Sequence, residues 1–576
     1  MQKLADIQSR TVSRPAAGSL FKRTRQAVNA NQPYRTLETA HFVLHYTLNG
    51  IHRIKTTPAD QPLLRLLDSI YASLPGNLSG TAREAAAYAK LDAASAPHPV
   101  FAATMAEYLE GARADYVGTL KMKAPRITVP SYYYRAPANR DGKYAVEIAD
   151  LVTVVNEDHE ALGESGANTY GLTLPPAAGG MLIENDFLFN AKVDPVSGIP
   201  DGDSIKSCYP HNCLNGGDLL HNYVLDWQAG LKVTCFHEFY HAVQFAYTPE
   251  PVYHTWYETG AVAMEERNAP EVNDYLQYME DYFSNLASLG MFDYYQSSPN
   301  SNYGNGMFHR FLAQELGDGF DADVWSRLEE DGNNLKEALP HVFATHGESA
   351  GRIYSRFAAQ LAFSGKSKAS LHAPFPLFSP DMALWPELKQ QTADLPSLAS
   401  FQTNRQPPFT ISAVKLIGAS LTHKSLILQD TSLAPVLLIL GSDSSHADFP
   451  GGLNAALGLP DLPGHDVLLL LANASLSRNL QAEIRDLVSI PSATLFAYPN
   501  PFKRNGSTDR LLFSRLPKSA TINIYGENGI QVRSLAFTPD SLLWNWDLGN
   551  DQGQALAPGL YYFGNAGEKL LPLVLY

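Results

Sequence analysis

The chain has 576 residues, of which 45% are hydrophobic and 18% charged, and its formal net charge at pH 7 is −15. This length exceeds what one hydrophobic core supports, so we predict a folded chain of roughly two to four domains. The negative charge disfavours nucleic acids and anionic membranes as main partners, because both attract basic surfaces. The sequence contains no apolar run of about 18 residues, so we predict no membrane span.

The first predicted segment, residues 1–35, is polar and basic, which indicates a poorly ordered leader-like or propeptide-like stretch. It lacks the apolar core of a signal peptide, so the chain as given carries no recognisable export signal. The stretch from His41 to Thr47 predicts a strand. His41 and His45 would lie on one face of it but well apart, and we interpret them as surface or edge histidines rather than as metal ligands.

Helices and then strands follow. Residues 62–118 predict helices, because apolar side chains such as Leu63, Leu67 and Ile70 recur at helical spacing. Residues 144–155 and 180–187 predict strands, since each is a run of apolar and β-branched residues.

A Gly- and Pro-rich stretch then contains three acidic residues and two cysteines. The carboxylates of Asp194, Asp201 and Asp203 are of the type that binds Ca²⁺, but their spacing does not match an EF-hand, so a solvated loop is the favoured interpretation. Cys208 and Cys213 bracket a short turn-rich segment. We weigh a small-loop disulfide between them, conditional on secretion, against unpaired thiols.

The most informative stretch has the pattern H-E-x-x-H, formed by His237, Glu238 and His241. Two histidines four positions apart lie on one face of a helix, where both imidazoles can reach one metal ion. Glu238 projects beside the water that such a metal would carry, and the pKa of a zinc-bound water falls to about 7. The pattern therefore predicts metal-assisted hydrolysis, most simply of a peptide bond.

A second predicted helix, around residues 256–266, supplies candidates for a third ligand, because two histidines leave a zinc site incomplete. Glu258 on this helix would give a His, His, Glu set with an open position for water. Glu265 lies two turns further along the same face. It is the alternative third ligand, or else the carboxylate that holds the other N–H group of a histidine. The sequence leaves this choice open.

The segment from His237 to Gln244, followed by Trp256 to Ala261 and a further glutamate, resembles the gluzincin pattern of metallopeptidases. More narrowly, it is similar to a group of secreted bacterial proteins regarded as metalloproteases. The resemblance covers residues 36–365 and is specific around residues 231–266. It implies a zincin-like, helix-rich catalytic region in which Zn²⁺ is bound by His237, His241 and Glu258, with Glu238 as the general base.

The resemblance also implies two further features of the site. Gluzincins stabilise the oxyanion of the reaction with a Tyr or His, for which Tyr303 and His309 are the candidates, Tyr303 ahead of His309. For each residue taken singly, a structural role is the favoured interpretation. Zincin-like folds place an edge strand beside the metal helix, where the substrate adds as an extra strand. Residues 181–186 are the candidate for that edge strand, with an ordinary interior strand as the alternative.

The last third of the chain changes character. Residues 366–408 are predicted as a linker, because helical periodicity fades there and Pro and Ser increase. Residues 409–490 consist of strand-like runs separated by turn residues, which predicts a β-sandwich. Residues 494–576 resemble the immunoglobulin-like, hook-capping-type modules that end many exported bacterial proteins. The resemblance implies a role in secretion or surface attachment, with a plain structural module as the alternative.

Together these features predict a multidomain α+β protein, with a zincin-like, helix-rich catalytic region followed by two β-sandwich modules. The leading interpretation is a secreted or cell-surface zinc metalloprotease that acts on protein or peptide substrates. The alternative is a non-catalytic extracellular binding protein that retains a structural zinc site. The intact Glu238 argues against this alternative, because a structural zinc site needs no base.

Overall fold

The structure is a computed structural model of the chain. It describes residues 32–127, 129–137, 142–151, 154, 170–187, 226–248, 254–332, 334–394, 400–417, 424–440, 446–448, 454–457, 466–486, 496–498, 511–514, 521–536, 543–565 and 570–575. Most of the predicted leader, the three aspartates considered for Ca²⁺ (Asp194, Asp201, Asp203) and the cysteine pair (Cys208, Cys213) lie outside the described residues.

The chain divides into two compact units, and the predicted multidomain α+β class is confirmed. The first unit comprises Met1–Ile353, Ser364–Lys366 and Phe378–Glu387, and the second comprises Tyr354–Phe363, Ser367–Leu377 and Leu388–Tyr576. None of the helices in the described part of the chain is both long enough and apolar enough to cross a membrane.

Most of the secondary structure described in the first unit is helical. In chain order, the α-helices are α1 (Gln61–Ser73), α2 (Gly80–Ala93), α3 (Val100–Arg113), α4 (Trp227–Phe245), α5 (His254–Asn268), α6 (Met279–Asn285), α7 (Tyr294–Ser297), α8 (Pro299–Gly304), α9 (Gly306–Leu316), α10 (Phe320–Glu330), α11 (Leu335–Thr345) and α12 (Ala350–Leu361). A π-helix, Ala114–Thr119, extends α3, and short 3₁₀-helices lie at Pro58–Asp60, Asp274–Tyr278, Met291–Asp293, Lys366–Lys368 and Pro380–Leu384. Helix α12 begins in the first unit and continues into the second.

The described part of the first unit also contains one five-stranded sheet. Its strands are β1 (Arg35–Glu38), β2 (Phe42–Tyr46), β3 (Tyr144–Ala149), β4 (Gly171–Thr173) and β5 (Met181–Glu184), in the order β1-β2-β3-β5-β4. The pairs β2/β3 and β3/β5 are parallel, whereas β4 pairs antiparallel with β5 at the edge of the sheet. Every residue of β5 is buried, as expected of a strand covered on both faces.

Two sequence-based predictions for this sheet need correction. The segment 181–186, considered as the edge strand, contains β5, which pairs on both sides, with β3 and with β4, and is therefore an interior strand. The described edge strands are β1 and β4, and β4 is the one that packs against the helix with the H-E-x-x-H pattern. His45 is buried rather than at a surface or an edge, because β2 lies between β1 and β3, whereas His41 is exposed and pairs with Glu110.

Helix α4 is the central helix of the first unit and carries the H-E-x-x-H pattern. The side chain of Asp226 caps its first turn by accepting a hydrogen bond from the N–H group of Ala229 at 3.2 Å. From Gly230 to Phe245 every side chain except Lys232 is buried. A helix that is buried on all sides is a core helix, and α4 packs against α3, α5 and the edge strand β4.

The second unit contains two β-sandwiches, as predicted. The first consists of two sheets in the orders β11-β10-β13-β8-β6 and β12-β9-β14-β7. Its strands are β6 (Gln390–Asp394), β7 (Ser400–Gln402), β8 (Thr410–Ile417), β9 (Lys424–Leu428), β10 (Leu433–Leu440), β11 (His446–Asp448), β12 (Asn454–Leu457), β13 (Asp466–Asn473) and β14 (Ala482–Asp486). Val414 and Leu437 of the first sheet and Leu426 and Ile484 of the second share one apolar core. Strands β6 and β7 of this sandwich lie within residues 366–408, which the sequence predicted as a linker.

In the second sandwich, every described strand pair is antiparallel, and the two sheets share one core. Its strands are β15 (Phe496–Tyr498), β16 (Leu511–Ser514), β17 (Thr521–Gly526), β18 (Gln531–Ala536), β19 (Leu543–Trp546), β20 (Gly559–Asn565) and β21 (Leu571–Leu575). The sheets have the orders β15-β16-β19 and β18-β17-β20-β21. Phe513 and Trp546 of the first sheet pack with Ile524 and Phe563 of the second. The immunoglobulin-like character assigned to this module from sequence stays a prediction.

Candidate metal centre

Three side chains from α4 and α5 converge on one point. The Nε2 atoms of His237 and His241 are 3.0 Å apart, because residues four positions apart lie one above the other on a helix face. Oε2 of Glu258 lies 3.3 Å from Nε2 of His237 and 3.5 Å from Nε2 of His241. Among the described residues, these three form the one group of His, Cys, Asp or Glu side chains whose ligand atoms are close enough to share a metal ion.

The environment of this group fits a metal ion. All three side chains are buried, and Oε2 of Glu258 is a buried carboxylate oxygen that has no partner in hydrogen-bonding geometry. A buried polar atom in that state is costly, and a cation between the three ligand atoms would satisfy it. Two imidazoles and one carboxylate are also the ligand set of catalytic zinc sites that keep a position open for water.

The charges at the site favour a cation as well. Burial alone would lower the pKa of His237, but Glu258 and Glu265 raise it to about 10. Burial alone would raise the pKa of Glu258, but His241 and His237 hold it well below its usual range. Without a metal, the carboxylates therefore favour a proton on His237. A metal ion must displace that proton, so metal binding weakens as the pH falls.

Each histidine contacts a second side chain through its other ring nitrogen, Nδ1. Nδ1 of His237 contacts Oε1 of Glu265, and Nδ1 of His241 lies 2.7 Å from Oε1 of Gln244. Nε2 of Gln244 in turn donates to the backbone carbonyl of Tyr257, at 3.0 Å. Such contacts fix the ring orientation and leave Nε2 of each histidine for the metal. The geometry thus groups Glu258 with the two Nε2 atoms and puts Glu265 on the opposite side of His237.

Glu238 adjoins the candidate ligand His237 in the chain and lies against the edge strand β4. The hydroxyl of Thr173 lies 2.7 Å from the backbone carbonyl of Glu238 and 2.8 Å from its Oε2. A Cβ atom at Gly171 would lie 2.4 Å from Cγ of Glu238 and 2.9 Å from Oε1. The carboxylate is therefore enclosed by two residues that share one face of β4.

The two candidates for oxyanion stabilisation lie in different surroundings. Tyr303, on α8, is buried, and its ring centroid is 6.5 Å from that of His237 and 4.7 Å from that of Tyr278. His309, on α9, is fully buried, with Nε2 3.1 Å from Oδ1 of Asp321 and its ring 5.3 Å from that of Trp256. The structure thus brings the ring of Tyr303 near that of His237, a candidate metal ligand, and places His309 in a cluster around Asp321.

This cluster is centred on the buried carboxylate of Asp321. The hydroxyl of Tyr240 donates to Oδ2, Nε1 of Trp325 donates to Oδ2 at 3.1 Å, and Nε1 of Trp256 donates to Oδ1 at 3.3 Å. Burial raises the pKa of Asp321 to about 8 and lowers that of His309 to about 3. Tyr240 adjoins His241, and Trp256 is two residues before Glu258, so this cluster ties together the two helices that carry the metal ligands.

Sequence reasoning missed Thr173, Gln244 and Asp321. Gln244 had a local signal, because it follows His241 by one helical turn on the same face. Thr173 and Asp321 had none, since each meets the metal helix across a long stretch of sequence.

The comparisons with known proteins add little. A comparison with protein-family models gives no match, and a comparison with curated proteins gives none either. PorZ, an essential bacterial surface component of the type-IX secretion system of Porphyromonas gingivalis, is 16% identical with a TM-score of 0.14, over 19% of this chain and 15% of that one. The extracellular region of zebrafish Gpr126 is 9% identical with a TM-score of 0.11, over 32% of this chain and 31% of that one. The chain thus spans well under two thirds of either structure, and likenesses this weak support no conclusion about fold or function.

Proposed function

We propose that this chain is a zinc-dependent endopeptidase. The single observation that carries the proposal is the buried group of His237, His241 and Glu258. Glu238 lies beside this group, on the helix that carries the two histidines. A structural zinc site usually closes its fourth position with a further Cys or His and has no use for a neighbouring base. In this group the two imidazoles and the carboxylate leave one position open, and a base lies next to it.

When bound, Zn²⁺ would polarise the scissile carbonyl and lower the pKa of a water molecule. His237, His241 and Glu258 would hold it, and Glu265 and Gln244 would keep the two imidazole rings in orientation. Glu238 would accept the proton of the attacking water and deliver it to the leaving amine. The hydroxyl of Tyr303, whose ring centroid is 6.5 Å from that of His237, is the candidate donor to the developing oxyanion, ahead of His309.

The edge strand β4 supports an extended peptide as the substrate. The N–H group of Glu184 donates to the carbonyl of Tyr170 at 2.9 Å, and that of Leu174 donates to the carbonyl of Gly180 at 2.8 Å. Backbone groups alternate in direction along an antiparallel strand, so Gly171 and Thr173 direct theirs away from β5. No described strand pairs with that side of β4. An extended substrate added there would run directly past Glu238.

The proposal is tested by Glu238→Gln, which keeps the size of the side chain and removes its basicity. We expect this variant to bind one zinc per chain like the wild type and to lose about 10²–10⁴-fold in the rate of casein cleavage. The matched control is Glu329→Gln, an exposed surface glutamate paired with Lys123, which should leave both quantities unchanged. Undiminished cleavage by Glu238→Gln would refute the assignment, as would the absence of zinc from the wild type after zinc is supplied.

We also propose that the protein acts outside the cytoplasm, secreted or attached to the cell surface. The support is the resemblance of residues 494–576 to modules that end exported bacterial proteins. Immunodetection of the native protein in culture medium, surface and cytoplasmic fractions tests this, and a purely cytoplasmic location would contradict it.

A further inference from the structure

The hydroxyl of Thr173 makes an unusual pair of contacts with one residue. It lies within hydrogen-bonding distance of both the backbone carbonyl and the carboxylate of Glu238, at 2.7 and 2.8 Å. Thr173 is fully buried, so water does not compete for these contacts. The side chain and the backbone of Glu238 are therefore tied to the same atom, which restricts the rotation of the side chain between them.

Gly171 also restricts the positions that the carboxylate of Glu238 can take. A Cβ atom there would be 2.8 Å from Cδ of Glu238, closer than carbon atoms approach without displacing one another. Gly171 and Thr173 are two positions apart and so share one face of the strand. The glycine leaves space for the carboxylate, and the hydroxyl holds it within that space.

The strand that holds the carboxylate is also the edge on which an extended substrate would pair. In the antiparallel register, Gly171 lies opposite Ile183 and Thr173 opposite Met181. The backbone groups of Gly171 and Thr173 therefore point to the side of β4 with which no described strand pairs, while their side-chain positions face Glu238. The residues that would align the peptide backbone are thus the ones that align the base.

We propose that Thr173 is a positioning residue for Glu238: its hydroxyl fixes the carboxylate beside the open metal position, in register with a peptide paired to β4. The catalytic role that this inference gives to Thr173 rests on the proposed peptidase function. The contacts on which the inference depends, in which the single hydroxyl proton is shared between the backbone carbonyl and the carboxylate of Glu238, do not require that function.

The test compares Thr173→Val, which keeps the branched shape and removes the hydroxyl, with Thr173→Ser, which keeps the hydroxyl. Misplacing a reacting group by about 1 Å can lower the reaction rate by about 10²-fold. We therefore expect Thr173→Val to lower kcat for casein peptides by about 10–100-fold with KM changed less than about twofold, and Thr173→Ser to restore kcat. Thr410→Val, a buried threonine of the second unit, controls for general effects of removing a buried hydroxyl. Unchanged kcat in Thr173→Val, or equal loss in the Val and Ser variants, would overturn the proposal.

A second readout does not depend on peptidase activity. Co²⁺ replaces zinc, and its visible absorption reports on the ligands and on the water held near Glu238. We expect Thr173→Val to change this spectrum in the wild-type background but not in a Glu238→Ala background, because the two residues act through one contact. A change of equal size in both backgrounds would refute the role of Thr173. If the wild type cleaves no peptide, the proposed function fails, and the Co²⁺ spectra still decide the role of Thr173.

Discussion

His237 has two ring nitrogens with different partners, and this division defines the candidate site. Nε2 faces His241 and Glu258, whereas Nδ1 contacts the buried carboxylate of Glu265. A carboxylate behind a metal-binding histidine holds its tautomer and raises its basicity, which strengthens the metal–nitrogen bond. The two glutamates of α5 are therefore expected to contribute differently, one as a ligand and one through the ligand His237.

Metal binding by Glu258→Ala and Glu265→Ala distinguishes these contributions. Glu258→Ala removes a ligand and should abolish stoichiometric zinc in elemental analysis. Glu265→Ala removes the carboxylate that contacts Nδ1 of His237 and should keep one zinc per chain at saturation. The affinity for zinc, measured by competition with a chelator, should weaken by about 10–100-fold. Zinc lost only with Glu265→Ala would instead identify Glu265 as the third ligand.

At the residue scale, the sequence predicts candidate ligands and a candidate base well where these residues lie close together in the chain. His237, Glu238 and His241 lie within two turns of one helix, so their geometry follows from helical spacing alone. The choice between Glu258 and Glu265 remained open, because it depends on the angle at which α5 crosses α4. That angle is a property of packing and is not encoded in the spacing of the two helices along the chain.

At the scale of elements, the metal helix is fixed by its neighbours rather than by amphipathic patterning. Asp321 on α10 accepts hydrogen bonds from Tyr240 on α4 and from Trp256 on α5. Gln244 on α4 also bonds to the backbone of Tyr257 on α5. Because these contacts are buried, breaking one leaves a polar group without a partner in the core, which is costly. They hold α4 and α5 at the separation that the ligands require.

Asp321→Asn tests the contribution of this cluster to stability. The amide offers one acceptor oxygen in place of two. Either Trp256, which donates to Oδ1, or both Tyr240 and Trp325, which donate to Oδ2, therefore lose their acceptor. We expect the free energy of unfolding to fall by about 1–3 kcal/mol in urea titrations. Asp323→Asn, on the same helix but 60% exposed, should change it by less than about 0.5 kcal/mol. Equal effects of the two variants would contradict the role of the cluster.

The edge strand shows what strand patterning leaves undetermined. Residues 181–186 are strand-like in sequence, and the sheet contains them as β5, but in its interior rather than at its edge. The described edge beside α4 is the three-residue β4, which is too short for periodicity to identify. Pairing partners are chosen across long sequence separations, so a local pattern predicts that a strand exists but not its place in the sheet.

At the scale of the whole molecule, the candidate site belongs entirely to the first unit. His237, His241 and Glu258, together with Glu238, lie in Met1–Ile353, whereas both β-sandwiches belong to the second unit. A ligand stabilises the part of a protein that binds it by a free energy that grows with its concentration relative to Kd. Zinc should therefore stabilise the first unit locally.

Hydrogen exchange with and without zinc measures this effect. At a free zinc concentration of about 100 times Kd, peptides from α4 and α5 should gain protection equivalent to about 2.7 kcal/mol. Peptides from β8, β10 and β13 in the second unit should exchange at unchanged rates. Glu258→Ala should show no zinc-dependent protection. Equal gains in both units would contradict a site confined to the first unit.

The sequence by itself determined the fold class, the helix-rich first part followed by β-sandwiches, and the two histidines and glutamate of α4. These depend on composition and on spacing within single elements, which the chain carries locally. The tertiary structure decided which strand forms the edge, that Glu258 meets the two histidines while Glu265 lies behind one of them, and that Thr173 contacts Glu238. Each of these depends on contacts between segments far apart in the chain, and such contacts follow from the packing of the core as a whole.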